Sequence, residues 1–220
     1  MKKKLRSALI GFGGMGHFHA SQYKNQPHCE LVAICDQDAG QLRKANDEIN
    51  LGNSGNVDLN GINTYLSYED LVKNETFDIL DICLPTCLHE PYAIRAMQDG
   101  YHVLCEKPMA RNSASARKMI AASRQYQKYL MIAQCVRFMA PYRYIADSYR
   151  QNKYGKLLRL SMQRCGALPD KAWYHSSTES GGALLDLHLH NTDYVNSLLG
   201  KPDAVFTCGV ERDTGGIDDL

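Results

Sequence analysis

The chain has 220 residues, a formal net charge of +1, and 44% hydrophobic and 22% charged residues. That length suits one or two domains with a sizeable core. The near-neutral balance gives no global attraction to nucleic acid or to an anionic membrane. No apolar run approaches the roughly 18 residues that span a bilayer. The basic start from Lys2 to Arg6 leads into an apolar stretch, Ala8 to Ile10, too short for the core of a signal peptide. Cysteines stand at 29, 35, 83, 87, 105, 135, 165 and 208, with no C-x-x-C pair. Cys35 and Cys83 lie inside apolar runs and are expected to be small buried hydrophobes. Reduced thiols, a cytoplasmic location and no metal site are the expectation.

In chain order, Leu5–Ile10 is expected to be a strand, 15–25 a helix, 30–35 a strand and 39–49 a polar helix. Residues 52–61 are rich in Gly and Asn and read as a loop, and 68–73 as a short helix. A near-continuous apolar strand is expected over 77–84, stopping at Pro85, then a helix over His89–Gln98 ending at Gly100. Residues 101–105 read as a strand, 113–127 as a helix and 129–136 as a strand. Apolar strands separated by helices imply βαβ units and a doubly wound parallel sheet. After Arg137 the rhythm changes. A helix is expected over 141–152, a one-face-buried strand over 156–164, a loop over 166–180, a helix over 183–199 and a strand over 204–210. The expected fold class is α/β, with a Rossmann domain at 1–129 and an incomplete α+β substrate and oligomerisation domain at 130–220.

The segment Gly11-Phe12-Gly13-Gly14-Met15-Gly16 fits G-x-G-x-x-G between a strand and a helix, and Asp36 ends the next strand twenty residues beyond Gly16. The first glycine turns the chain tightly. Gly13 lets the backbone approach a pyrophosphate, and Gly16 lets helix and strand pack closely. The helix N-terminus supplies N–H groups and a positive dipole end. Asp36 offers acceptors to ribose hydroxyls and repels a 2′-phosphate, so NAD is expected and NADP is disfavoured.

Cys105-Glu106-Lys107-Pro108 closes the fifth Rossmann strand. Leu84-Pro85-Thr86-Cys87-Leu88-His89 follows the fourth. Val136-Arg137-Phe138 with Pro141 opens the second half, and Ser180-Gly181-Gly182 leads into Ala183 to Asp193. Together, and in this order, these motifs resemble the glucose-fructose oxidoreductase / inositol dehydrogenase (Gfo/Idh/MocA) family over essentially the whole chain. The resemblance implies an NAD-dependent dehydrogenase acting on a secondary alcohol of a polyol, inositol or sugar. It implies a catalytic set of Lys107, Asp186 and His190, with His190 as the base, and a cofactor set of residues 11 to 16, Asp36, Pro85, His89, Glu106 and Lys107. The Lys107–Pro108 bond is expected to be cis.

The chemistry agrees with the residue types. On a continuous helix Asp186 and His190 share a face, with Asp193 on the same side. A carboxylate beside an imidazole keeps it basic, which suits proton abstraction from an alcohol. The Lys107 ammonium can stabilise a developing alkoxide. His188 lies about 200° around such a helix from both Asp186 and His190, at roughly 100° per residue, so the three do not converge on a metal. His188 also departs from the glycine common in relatives. Two alternatives stay open for His89, reaching the nicotinamide or capping the following helix, and two for Arg137, holding a substrate hydroxyl or the domain junction. Tyr149 and Lys153 match a Tyr-x-x-x-Lys spacing, which thirteen tyrosines produce by chance. A non-catalytic nucleotide-sensing or partner-binding relative is the competing function. The chain is expected to be a truncated form of a longer dehydrogenase. Relatives form homo-oligomers; here that is doubtful, because much of the dimerising face is expected to be missing.

Overall fold

A computed structural model describes residues 3–44, 48, 49, 52, 53, 57–166 and 171–210. The chain divides into two units, Met1–Ile132 and Ala133–Leu220. In the first, β1 (Leu5–Ile10) passes through a glycine turn into α1 (Gly14–Tyr23) and then β2 (Cys29–Cys35). A small antiparallel ribbon pairs β3 (Glu48–Ile49) with β4 (Gly52–Asn53). Then follow β5 (Asn63–Tyr65), α2 (Tyr68–Asn74), β6 (Ile79–Ile82), α3 (His89–Gln98), β7 (His102–Cys105), α4 (Ser113–Gln125) and β8 (Leu130–Ile132). The six main strands pair in parallel in the order β5-β2-β1-β6-β7-β8. The order reverses between β1 and β6, where open α/β sheets bind ligands outside the strands' carboxyl ends.

Strand pleating explains why these apolar runs carry helices on both faces. Ala8 and Ile10 of β1 join Ala33 and Cys35 of β2 in a core shared with Leu71 of α2, Ala93, Ala96 and Met97 of α3, and Met119 and Ala122 of α4. Leu9 and Ile34 point the other way and pack with Phe12 and with Ala20 of α1. Full burial of one such large aliphatic side chain contributes about 1.5–3 kcal/mol. Helix ends follow local chemistry. Ser67 Oγ accepts the Asp70 N–H at the start of α2, and Asn112 Oδ1 accepts the Ser115 N–H at the start of α4. Gly100, at φ +98°, ends α3 with its N–H on the Met97 carbonyl.

The helix expected at 39–49 is absent from the described residues. Only a 3₁₀ turn, Gln41–Arg43, forms, and residues 45–47 lie outside the described set. The Asp36 and Asp38 carboxylates accept the N–H groups of Asp38 and Gly40, a local turn that competes with helix initiation. In the loop expected at 52–61, Gly52–Asn53 forms β4, and 54–56 lie outside the described set. The strand expected at 129–136 stops at Ile132, and Cys135–Phe138 is a 3₁₀ turn.

The second unit contains α5 (Ala140–Arg150), a 3₁₀ turn (Ala172–His175), α6 (Gly182–Asp186) and α7 (Leu189–Leu199). Tyr194 is buried, packs edge-on to Tyr142 at 4.9 Å, and donates its hydroxyl proton to the Tyr142 carbonyl at 2.7 Å. The strands expected at 156–164 and 204–210 do not form among the described residues, where only Val210 makes an isolated bridge. Alternation makes a segment competent for a sheet, but a strand exists only when paired. Leu158 and Phe206 stand 87% and 92% exposed.

A Cβ on Gly11 would lie 2.6 Å from the Cys83 carbonyl oxygen, and Gly11 sits at φ +92°. Gly61 shares the positive φ, at +78°, but has open space around it. Gly61→Ala should therefore cost about 1–2 kcal/mol of stability through dihedral strain alone. Gly11→Ala adds a collision with the backbone and should lose clearly more in urea unfolding. Equal losses would remove the packing constraint at the turn.

Candidate functional site

Four segments meet the carboxyl edge of the first unit's sheet, and ladder bonds pin the first residue after each strand. Gly11 N–H donates to the Cys35 carbonyl, Asp36 N–H to Tyr65, Cys83 N–H to Ile10 and Glu106 N–H to Ile82, at 2.9–3.1 Å. The glycine turn follows β1, Asp36 follows β2, Pro85 follows β6, and Glu106 with Lys107 follows β7.

Gly16 packs so closely that a Cβ there would lie 2.0 Å from the Gly11 carbonyl oxygen. Gly13 is the N-cap of α1 and has no side chain to cap its first-turn N–H groups. Gly14 is buried and Met15 half-buried. Asp36 is held from two sides, Oδ2 accepting the Phe12 N–H at 2.7 Å and Oδ1 the Asp38 N–H at 2.8 Å. Phe12 therefore differs from the expectation for it. Its N–H belongs to Asp36, and its buried ring stacks on His17 at 3.7 Å.

Behind this edge is a buried polar cluster that sequence reasoning missed. His19 Nδ1 lies 3.0 Å from Asp81 Oδ2, and its Nε2 lies 2.9 Å from Glu106 Oε1. Tyr23 donates its hydroxyl proton to Asp81 Oδ2 at 2.9 Å, and Glu106 Oε2 accepts the Lys107 N–H at 2.9 Å. Asp81 is fully buried and Glu106 nearly so. Burial alone would lower the His19 pKa, but the fields of Cys83 and Asp81 and the Asp81 hydrogen bond hold it well above 6.5. Burial opposes ionisation of Glu106, yet the hydrogen bond and charge of His19 leave its carboxyl below the usual 4.5. His19, Asp81 and Cys83 also bring potential metal-ligand atoms within 4.8 Å of one another. Burial pushes the Cys83 thiol up to about 12, and both His19 nitrogens face carboxylates as proton donors, so protons already serve this cluster. The missed signal was Asp81, an acid in the middle of an apolar strand.

The Lys107–Pro108 bond is cis, and Lys107 is half-buried. His89 departs from both expected roles. It is 1% exposed, with Nδ1 2.8 Å from the Pro108 carbonyl oxygen and Nε2 2.8 Å from that of Leu84. Burial lowers its pKa, and a neutral imidazole donates through one nitrogen. It ties the turns after β6 and β7 together, and it neither caps α3 nor reaches outward. Glu106 likewise turns inward, with its oxygens on His19 and the Lys107 N–H.

In the second unit the helix expected at 183–199 is interrupted. The Ala183 carbonyl accepts both the Leu187 and the His188 N–H, at 3.0 and 2.8 Å, which inserts an extra residue between α6 and α7. Asp186 ends α6 and His190 lies in the first turn of α7, so the four-residue spacing on one regular helix does not apply. Both are half-buried. Asp193 forms a two-pronged ion pair with Arg137, and that pairing settles where the Arg137 guanidinium goes. Asn191 Oδ1 accepts from Arg164 at 3.2 Å.

A glycine turn where side chains cannot fit, an uncapped helix start and an acid fixed at the end of β2 suit a dinucleotide. The family model described as an oxidoreductase family with an NAD-binding Rossmann fold matches residues 5–134, and the model for the GFO/IDH/MocA C-terminal domain matches 142–220. The first unit is thus an NAD-binding Rossmann domain. The chain belongs to the Gfo/Idh/MocA oxidoreductase family. It is similar to D-glucoside 3-dehydrogenase of Escherichia coli, 27% identical over 90% of this chain and 55% of that protein. It is similar to trans-1,2-dihydrobenzene-1,2-diol dehydrogenase of Xenopus laevis, 31% identical over 69% of this chain and 46% of that one. The crystal structure of myo-inositol 2-dehydrogenase from Lactobacillus plantarum matches with a TM-score of 0.74 at 27% identity, over 90% of this chain and 57% of that one. The chain spans about half the length of these relatives. None of the eight cysteines forms a disulfide, and among the described residues no helix is long and apolar enough to cross a membrane.

The buried cluster sets a pH window for stability. The folded-state pKa of His19 lies above 6.5, so its contribution is complete below that value and fades as pH rises through the raised one. The Glu106 pKa lies below 4.5, so its contribution is complete above that value and fades as pH falls through the lowered one. Urea midpoints measured across pH should decline at both ends, and His19→Asn should flatten the alkaline decline. Asp81→Ala leaves His19 Nδ1 without its acceptor inside a buried ion cluster and should cost about 3–5 kcal/mol. A loss under about 1 kcal/mol, the scale of an exposed ion pair, would refute a buried one.

Proposed function

We propose that this chain carries the cofactor and catalytic residues of an NAD-dependent oxidoreductase acting on a secondary alcohol of a polyol, inositol or sugar. The observation that carries the reading is the sheet edge itself, where the Gly11 turn, Asp36, Pro85 and Lys107 each lie within three residues of the carboxyl end of a parallel strand. Similarity to proteins named for dehydrogenation of a D-glucoside and of myo-inositol supports the substrate class.

Residues 13 to 16 would hold the pyrophosphate through backbone N–H groups at the start of α1. Asp36 would accept the adenosine ribose hydroxyls, since its two backbone bonds fix its orientation at the end of β2. NAD supplies a hydride acceptor when bound. Lys107 sets its ammonium against the alcohol oxygen and stabilises the developing alkoxide. His190 takes the hydroxyl proton as general base, with Asp186 the carboxylate that the family resemblance sets beside it in the catalytic set. Pro85 shapes the turn after β6. His89 and Glu106 take supporting roles behind the edge, holding the turns that carry Pro85 and Lys107.

A screen of inositols, aldoses, sugar acids and sugar phosphates with NAD, read by absorbance, tests the reaction. NADH binding with no turnover on any of them would favour a nucleotide-sensing relative instead. Lys107→Ala and His190→Ala should each lower turnover by about 10² or more and leave NADH binding nearly intact. Unchanged turnover in His190→Ala would remove it from the mechanism. NADH should bind more tightly than NADPH by calorimetry, because Asp36 faces the site of the extra phosphate. Equal or tighter NADPH binding would overturn that assignment.

A further inference from the structure

The Asp81–His19–Glu106 cluster is larger than strand packing requires. An acid occupies a fully buried position in the middle of β6, between Leu9 of β1 and Leu104 of β7. The cluster joins three elements distant in sequence: His19 and Tyr23 from α1, Asp81 and Cys83 from β6 and its end, and Glu106 from the turn after β7. Its outer end is not another side chain but the backbone N–H of Lys107, held by Glu106 Oε2. Each carboxylate oxygen on the path accepts at least one hydrogen bond, so the imidazole is fixed at both ends and Glu106 has little freedom to turn. The glycine turn takes no part in these bonds.

We propose that His19 is a positioning residue that sets the orientation of the Lys107 backbone through Glu106, and so the place of the Lys107 ammonium. This rests on the role assigned to Lys107 above. With the imidazole in place, Glu106 Oε1 is engaged and Oε2 is presented to the Lys107 N–H. Without it, Glu106 keeps a buried negative charge with no proton donor at Oε1. The carboxylate then turns to find one, and the Lys107 N–H loses its acceptor. The groups facing His19 are Asp81, Cys83, Tyr23 and Glu106, with Lys107 next in line. Deprotonation of the imidazole leaves one of the two carboxylates without its donor, so the Lys107 turn should respond to the same titration.

The test is nuclear magnetic resonance on the isotope-labelled full chain, raised from neutral to alkaline pH. The His19 ring nitrogens and the Lys107 backbone amide should shift with one shared midpoint. In His19→Asn the Lys107 amide should no longer titrate at that midpoint. A structural role alone lowers stability without linking the two signals. A Lys107 amide that stays still while the His19 ring titrates overturns the proposal, and this measurement needs only the wild-type protein, so an unfolded variant does not prevent it. Where the wild type oxidises a polyol, His19→Asn should lower turnover by about 10- to 100-fold with the NADH dissociation constant nearly unchanged. A fall in turnover explained wholly by lost NADH binding counts against positioning. Linked titrations in a wild type that turns over no polyol would sustain the positioning role and refute the dehydrogenase reading alone.

Discussion

The candidate site depends on β1 lying between β2 and β6 in parallel register, with ladder bonds continuing one residue beyond the strands. Parallel pairing leaves every carboxyl end on one edge, so whatever follows each strand arrives at the same place. Gly11 is bonded to β2 and packs against the carbonyl that follows β6. That squeeze permits no side chain at Gly11, and Gly16 meets the Gly11 carbonyl more closely still. The turn, the start of α1 and the place of Asp36 all follow from this packing. The site edge is therefore held by the sheet's own hydrogen bonds, and its residues need no long loop to position them.

The second constraint is electrostatic. The face of the sheet under α1 is apolar at Leu9, Ile34 and Phe12, yet it also accommodates Asp81. A buried carboxylate survives only with charge and hydrogen bonds around it. His19, Tyr23 and Cys83 supply them, and the chain of contacts ends at the Lys107 backbone. His89 lies between the Leu84 and Pro108 carbonyls and, as a neutral imidazole, donates to one of them. Two buried histidines of opposite titration behaviour thus brace neighbouring turns: one held as a cation between carboxylates, one held neutral between carbonyls.

The second unit is organised by α5 and α7, through Tyr142, Tyr194 and the Arg137–Asp193 pair. The extra residue at Leu187 and His188 rotates the chain between Asp186 and His190. Helix periodicity then no longer governs how those two side chains are related, and their relation is set by how α6 meets α7.

The amino-acid sequence by itself determined the parallel α/β sheet, the glycine turn, Asp36 at the end of β2 and the Lys107–Pro108 turn. Each is encoded by neighbours: an apolar run, a glycine spacing, an acid at a strand end or a recognisable short motif. Tertiary structure alone decided the rest. His19 meets Asp81 across 62 positions and Glu106 across 87, and no local pattern records such a meeting. The inward turn of Phe12, His89 and Glu106 follows from partners brought in by other segments: Asp36 for Phe12, Pro108 for His89 and His19 for Glu106. Local chemistry was readable but outweighed at 39–49, where Asp36 and Asp38 bond the backbone that a helix would need. Alternation at 156–164 and 204–210 describes a strand only once something pairs with it, and pairing is a property of the assembled sheet rather than of the segment.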